Sequence, residues 1–91
     1  MARFIVTHKL PAVGTQDEII EAGKATIDAL PNGAEWLRSW VVHADGRLFC
    51  EWEASEEESI QAALKGVEFF PIEVIHPVLV IDPAWFKEST L

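Results

Sequence analysis

The sequence predicts an α+β domain of the ferredoxin-like class, a four-stranded antiparallel sheet with two helices on one face. The period of the apolar residues switches along the chain in the order β-α-β-β-α-β. An Asp-Gly pair between two strand-like runs marks a central hairpin. Pro77 interrupts the last strand, and the usual strand order, 4-1-3-2, places that strand at an edge, where a residue without a backbone amide is tolerated.

The first βα unit follows from local signals. Residues from about Arg3 to Leu10 are rich in strand formers, and Pro11 and Gly14 end the strand. Thr15 followed by Glu18 predicts a capping box at the start of a helix. Apolar spacings of three and four predict an amphipathic helix with a stripe at Ile20, Gly23, Ile27 and Leu30.

The hairpin spans Glu35 to Ala54, with Asp45 and Gly46 as a two-residue type I′ loop. That loop predicts the cross-strand pairs Ala44–Arg47, Trp40–Glu51 and Arg38–Glu53. Alternation then predicts two faces. The more apolar face, assigned to the helices, carries Leu37, Ser39, Val41, His43, Leu48, Cys50, Trp52 and Ala54. The other carries Trp36, Arg38, Trp40, Val42, Phe49, Glu51 and Glu53.

Signals for a second helix and a last strand follow the hairpin. Ser55 and Glu58 predict another capping box, and the next apolar stripe consists of Ile60, Ala63, Leu64 and Val67. The last strand is predicted from Ile72 to Ile81. Residues 1–81 are therefore expected to form the domain. Residues 82–91 are expected to be a tail whose Trp85 and Phe86 dock on the sheet or on a partner subunit.

Composition limits the classes of function. The formal net charge of −8 argues against nucleic acid, because phosphate binding needs a basic patch. With one cysteine there is neither an internal disulfide nor a cysteine-rich zinc site within one chain. No apolar run reaches the length of a membrane span, and the N-terminus lacks the pattern of a signal peptide, so a cytoplasmic protein without a membrane partner is expected.

The sheet surface that neither helix covers, called the open face below, is the predicted functional surface. Its expected ligand-binding residues are Trp36, Arg38, Trp40 and Glu53. An apolar patch of this size is commonly covered by a second copy, so we expect a homodimer with its sheets face to face. The pair predicted between Arg38 and Glu53 either fixes strand register or orients an anionic or polar ligand.

His8, Cys50 and Glu51 are the candidates for metal chemistry. If His8 points to the open face, it meets Glu51 or Glu53, and imidazole with carboxylate suits nickel, zinc or copper. Its alternative is a histidine at a strand end, bound to the backbone. Cys50 on the apolar face is expected to be a core residue with a raised thiol pKa.

The segments WLRSWVV and LFCEWEASEEESIQAAL, followed by a strand with a proline, resemble a family of small ferredoxin-like proteins that includes nickel-binding, nickel-responsive members. The matching positions are Ser39, Cys50, Glu51, Trp52, Glu53, Ala54 and Glu57. The resemblance covers roughly residues 3 to 80 and implies a sheet-packed dimer of the dimeric α/β barrel type. It also implies, for some members, nickel held by histidine and acidic or sulfur ligands.

Together these observations predict a small homodimeric binding protein that takes nickel, another divalent transition metal, or a small ligand at the open face. In the metal version His8 supplies a nitrogen ligand, and Glu51 or Cys50 supplies the anionic ligand. The alternative is a cofactor-independent enzyme resembling the monooxygenases and isomerases of the dimeric α/β barrel type. It would act on an aromatic substrate, with His8 as proton acceptor, Arg38 orienting the substrate and an enclosed pocket. A third possibility is that the open face only seals a dimer.

Overall fold

The computed structural model describes residues 1–10 and 16–87. Its elements are β1 (Ala2–Lys9), α1 (Gln16–Asp28), β2 (Ala34–Val42), β3 (Arg47–Ala54), α2 (Glu57–Leu64), β4 (Ile72–Val78) and α3 (Ala84–Lys87). The sheet has the order β2-β3-β1-β4 with every neighbouring pair antiparallel. This confirms the ferredoxin-like fold, with β4 and its Pro77 at an edge. Thr15, half of the first predicted capping box, lies outside the described residues.

The core lies between the sheet and the helices. Every second side chain of β3 is buried, namely Leu48, Cys50, Trp52 and Ala54. The predicted stripe of α2 is also buried, namely Ile60, Ala63, Leu64 and Val67. The second capping box is wrong, because α2 begins after Glu56, which makes no side-chain cap bond. Burial rather than capping therefore holds this helix on the sheet, since each large apolar side chain contributes about 1.5–3 kcal/mol.

The stripe predicted for α1 is only partly correct. Its buried residues are Ala22 and Thr26, whereas Ile20 and Ile27 are exposed. Gly23 of the predicted stripe lies against the ring of Trp36. A Cβ on Gly23 would lie 3.7 Å from Cη2 of Trp36, which leaves no room for a larger side chain.

The hairpin loop differs from the predicted type I′ turn. His43–Asp45 form one turn of 3-10 helix, and only Gly46, at φ +60°, takes the left-handed conformation. The loop is therefore four residues long, with Val42 opposite Arg47. The pairs predicted from a two-residue loop are wrong, and the observed ones are Trp40–Phe49 and Arg38–Glu51. Because the register moves by two residues, each side chain from Arg38 to Val42 keeps its predicted face.

Trp36 is the exception, because the β2–β3 register shifts between Trp36 and Arg38. A one-residue irregularity moves the preceding side chains to the other face. Trp36 therefore pairs with Trp52 on the helix side, where the two rings stack with centroids 6.3 Å apart and an interplanar angle of 12°. The prediction that Trp36 lies on the open face is wrong.

After β4 the chain continues past the sheet to the short helix α3. Trp85 and Phe86 on this helix are exposed, so neither ring is docked on its own sheet. Within the described ranges, no helix is both long and apolar enough to cross a membrane.

Candidate functional site

The strand register brings polar and aromatic side chains together on the open face. Across β2, β3, β1 and β4, successive rungs read Arg38–Glu51–Ile5–His76 and Trp40–Phe49–Thr7–Val74. The next rung contains Glu53, Arg3 and Val78. The open face is therefore an apolar surface with a group of charges near its centre.

Those charges form a compact group, called the charged cluster below: Arg3, Arg38, Glu51 and Glu53. Nη1 of Arg3 lies 2.6 Å from Oε2 of Glu51, and Nε of Arg38 lies 2.9 Å from Oε1 of the same carboxylate. Nη2 of Arg3 is also 3.9 Å from Oε2 of Glu53. Both oxygens of Glu51 are thus engaged by guanidinium groups, and the predicted Arg38–Glu53 pair is replaced by Arg38–Glu51.

The two arginines differ in what they can still bind. The side chain of Arg38 is 64 % exposed, and only its Nε is engaged within the described part of the chain. Its two terminal nitrogens remain available as a donor pair. Nε of Arg3 is buried and has no hydrogen-bond partner among the described residues. The charged cluster therefore contains donors that lack an acceptor.

Aromatic surface adjoins these donors. Trp40 follows Arg38 by two residues on β2 and so shares its face, opposite Phe49. The indole of Trp40 is about half exposed, and Val74 on the same rung is also exposed. The open face thus presents the guanidinium of Arg38 next to the exposed indole of Trp40.

His8 lies on the helix side, because it pairs with the buried Leu48. Its Nδ1 donates to the carbonyl of Phe70 over 3.1 Å, and the two rings are in tilted contact. Burial lowers the pKa of His8, an effect partly offset by the carbonyls of Phe70 and Pro71 and by the charge of Glu73. The ring is therefore neutral at pH 7 and ties β1 to the segment before β4, as in the alternative reading of a backbone-bound histidine.

Cys50 is buried on the same side and belongs to a short chain of hydrogen bonds. Nε1 of Trp36 donates to Oγ of Ser39 over 2.8 Å, and that hydroxyl donates to Sγ of Cys50 over 2.9 Å. Burial raises the pKa of the Cys50 thiol to about 11, against which the Ser39 hydrogen bond acts weakly. The residue is thus a protonated core thiol, which makes a poor nucleophile.

These positions decide whether the predicted metal ligands fit a nickel ion. Glu51 points to the open face, whereas His8 and Cys50 point to the helices, so the three do not surround one point. Glu51 is moreover occupied by two arginines. Over residues 1–10 and 16–87, no three His, Cys, Asp or Glu side chains converge in a way that could hold a metal ion. The predicted ligand set does not fit nickel within one chain.

The residues predicted for the alternative enzyme function do not lie together either. His8 and Arg38, its proton acceptor and its orienting group, lie on opposite faces of the sheet. A groove of about 520 Å³ does exist, but it lies between α1 and residues 66–69, which follow α2, and is open to solvent. Its rim includes the carboxylates of Asp17, Glu21 and Glu68 and none of the predicted site residues.

Sequence reasoning did not identify two residues of this surface. From the sequence, Arg3 is predicted only as the start of a strand, and no functional role is predicted for His76. Alternation along β1 and β4, combined with the predicted strand order, would have placed both on the face of Glu51. The missing information was the register between strands far apart in sequence.

Comparison with known proteins agrees with this fold. A family model described as "Nickel responsive protein SCO4226-like" matches residues 4–78. The crystal structure of SCO4226 from Streptomyces coelicolor A3(2) superposes with a TM-score of 0.74 at 21 % sequence identity. The match covers 89 % of this chain and 100 % of that one. No curated protein sequence matches the chain.

Proposed function

The chain belongs to the SCO4226-like family, and from that premise and its open face we propose that it is a homodimeric binding protein for a small aromatic anion. Arg38 carries the proposal, because it shares the open face with Trp40 and its two terminal nitrogens have no partner among the described residues. The ligand's carboxylate or similar group would bind Arg38. Its ring would lie on Trp40.

The charge chemistry supports an anion rather than a cation at this point. A guanidinium presents parallel N–H donors that match a carboxylate, and such two-point bonds are among the stronger ones in proteins. In the described part of the chain, Glu51 contacts Arg38 through Nε, over 2.9 Å. A ligand carboxylate can therefore bind the terminal nitrogens without displacing Glu51.

The apolar surroundings support a dimer. Trp40, Val74 and Val78 on the open face are all exposed in the single chain. Exposed apolar side chains on a sheet are commonly covered by a partner, and a two-fold pairing of identical chains covers both open faces at once. A second copy would exclude water from the Arg38–Trp40 pair and so strengthen its bond to an anion.

The test is calorimetric titration with 2-naphthoate, with 2-naphthylmethanol as the uncharged probe of the same shape. We expect the wild type to bind the acid and Arg38→Gln to bind it 10- to 100-fold more weakly, as for a lost charged hydrogen bond. Arg47→Gln is the matched control, because Arg47 also pairs with a glutamate but lies four residues from Glu51 along β3, about 13 Å. Its affinity should match the wild type.

Two results would contradict this proposal. One is equal binding of the acid and the alcohol, since recognition would then not involve charge. The other is a wild type that remains monomeric when its mass is measured over a range of concentrations. Glu51→Gln tests the same point in the opposite direction. Because it removes a negative charge next to Arg38, it should tighten the binding of 2-naphthoate.

Nickel is the second candidate ligand, and the family description is the observation that favours it. Because the ligands predicted within one chain do not converge, this version needs donors from two copies. His76 and Glu53 lie on the open face and are the donors we would assign to it. Titration with nickel chloride alone should then show binding that His76→Ala removes and the exposed control His43→Ala does not. Unchanged binding in His76→Ala would exclude this assignment.

A further inference from the structure

We infer that the C-terminal arm, defined as Leu79–Lys87, crosses to a second copy and places Trp85 and Phe86 over that copy's Arg38–Trp40 pair. The inference rests on the proposed homodimer and specifies how the two chains meet. Each ligand site would then be built from the open face of one chain and the arm of the other.

The arm is apolar, exposed and locally ordered. Leu79 is 89 % exposed, Trp85 58 % and Phe86 69 %. Asp82 organises its end, since its Oδ1 accepts the amide of Ala84 over 2.9 Å and its carbonyl accepts that of Trp85 over 3.0 Å. A segment that presents two aromatic rings from a fixed turn while leaving them in water is suited to contact another surface.

The shape of the molecule indicates that this surface is not its own. The Cα radius of gyration is 14.8 Å, whereas a compact chain of this length is expected near 12 Å. The longest principal axis is 51 Å and the shortest 20 Å. The molecule is therefore elongated, and the exposure of Leu79, Trp85 and Phe86 shows that the arm does not fold back over its own open face.

The area available is sufficient for a stable dimer. From the exposed fractions of its large apolar side chains, one arm offers roughly 500 Å² of apolar surface. Two arms, with the equal areas they would cover, give about 2,000 Å², at the upper end of the range for specific interfaces.

The charges on the open face also favour a dimer contact through the arm over direct packing of one sheet on the other. The charged cluster occupies the middle of the open face, so two flat sheets would bring charges together without water. The arm begins directly after Val78, itself an open-face residue of the edge strand. Its first five residues can span about 16 Å, and four strands are about 14 Å wide. An arm from a facing copy can therefore reach Trp40 on the far edge strand.

Complementation between two defective variants tests the exchange. The first is Arg38→Gln, with an intact arm; the second is Trp85→Ala/Phe86→Ala, with an intact Arg38. If the arm crosses, each variant alone binds 2-naphthoate more weakly than the wild type, but the mixed dimer regains one complete site with the affinity of the wild type. If each arm served its own chain, both sites of the mixed dimer would be defective, and a mixture that binds no better than either variant alone, beside a wild type that binds, overturns the inference.

Two further measurements do not depend on the ligand. We expect the arm variant to raise the dimer dissociation constant at least tenfold, whereas Ile19→Ala/Ile27→Ala, which removes exposed apolar residues from α1, should leave it unchanged. The emission contributed by Trp85, taken as wild type minus Trp85→Phe, should shift to shorter wavelength as dimers form. A dimer that persists unchanged in the arm variant overturns the arm exchange alone. A monomeric wild type overturns the proposed dimer as well, and a dimer that ignores 2-naphthoate overturns only the ligand.

Discussion

Replacing Glu51 by Gln tests the charged cluster, because this one carboxylate holds both arginines. Its side chain is 14 % exposed, as against 27 % for Arg3 and 64 % for Arg38. A hydrogen bond to a charged group contributes about 1.5–3 kcal/mol, and the partly exposed Arg3 pair should lie near the lower value. The Arg38 pair is largely in water and should contribute about 0.2–1 kcal/mol. We therefore expect Glu51→Gln to lower the free energy of unfolding by about 2 kcal/mol.

Two double-mutant cycles divide this loss between the partners. Urea unfolding would be measured for Glu51→Gln with Arg3→Met and, separately, with Arg38→Met, at one fixed protein concentration because dimerisation contributes to stability. The expected coupling energies are about 1.5 kcal/mol with Arg3 and 0.5 kcal/mol or less with Arg38. Coupling with Arg38 that equals or exceeds that with Arg3 would refute the reasoning, since Arg38 would then not be free to bind an anion.

Three further predictions concern the helix side. His8 has a lowered pKa and stays neutral where the unfolded chain takes up a proton, so the free energy of unfolding should fall as pH drops below about 6.5, by at most 1.36 kcal/mol per unit. His8→Asn should flatten this dependence in pH-dependent urea unfolding, and the exposed control His43→Asn should retain it. Burial raises the pKa of the Cys50 thiol to about 11, so this thiol should react at least about 100-fold more slowly with a thiol reagent at pH 7.5 in the folded protein than in urea. Equal rates would contradict its burial. Gly23→Ala should stabilise the protein by about 0.5–1 kcal/mol in thermal unfolding, since its Cβ meets Trp36 at ordinary contact distance. Gly23→Leu should destabilise it by displacing that ring, and a stable Leu variant would show that α1 can move away.

The fold could be predicted because its signals are local. Alternation in β3, the stripe of α2 and the proline in β4 each depend on a few neighbouring residues, and the structure bears out all three. The loop was mispredicted because Asp-Gly also fits the end of a 3-10 turn, where only the glycine needs positive φ. A register shift of two residues leaves every side chain on the same face of the strand, so the predicted faces of the residues from Arg38 to Val42 are correct although their predicted partners are wrong.

The site could be predicted only in part, because it depends on contacts between distant strands. Trp36 was assigned to the wrong face because a register shift has no clear sequence signal, although the Gly23 that accommodates its ring is visible in α1. Arg38 and Trp40 were placed correctly, since both follow the shift. Arg3 was missed because its partner is 48 residues away in the chain.

The buried residues that resemble the family and the residues that we propose to bind a ligand lie on opposite sides of the sheet, whereas Glu51 and Glu53 of the same pattern lie on the open face. Ser39 and Cys50 are hydrogen-bonded to each other beneath the helices, and Trp52 is buried beside them. Such residues are held in place by packing, whatever the protein binds. Arg38 and Trp40 lie on the surface that a second copy would cover, where a substitution changes the ligand without disturbing the core. Membership of the family therefore bears on the scaffold more directly than on the ligand that we propose for the open face.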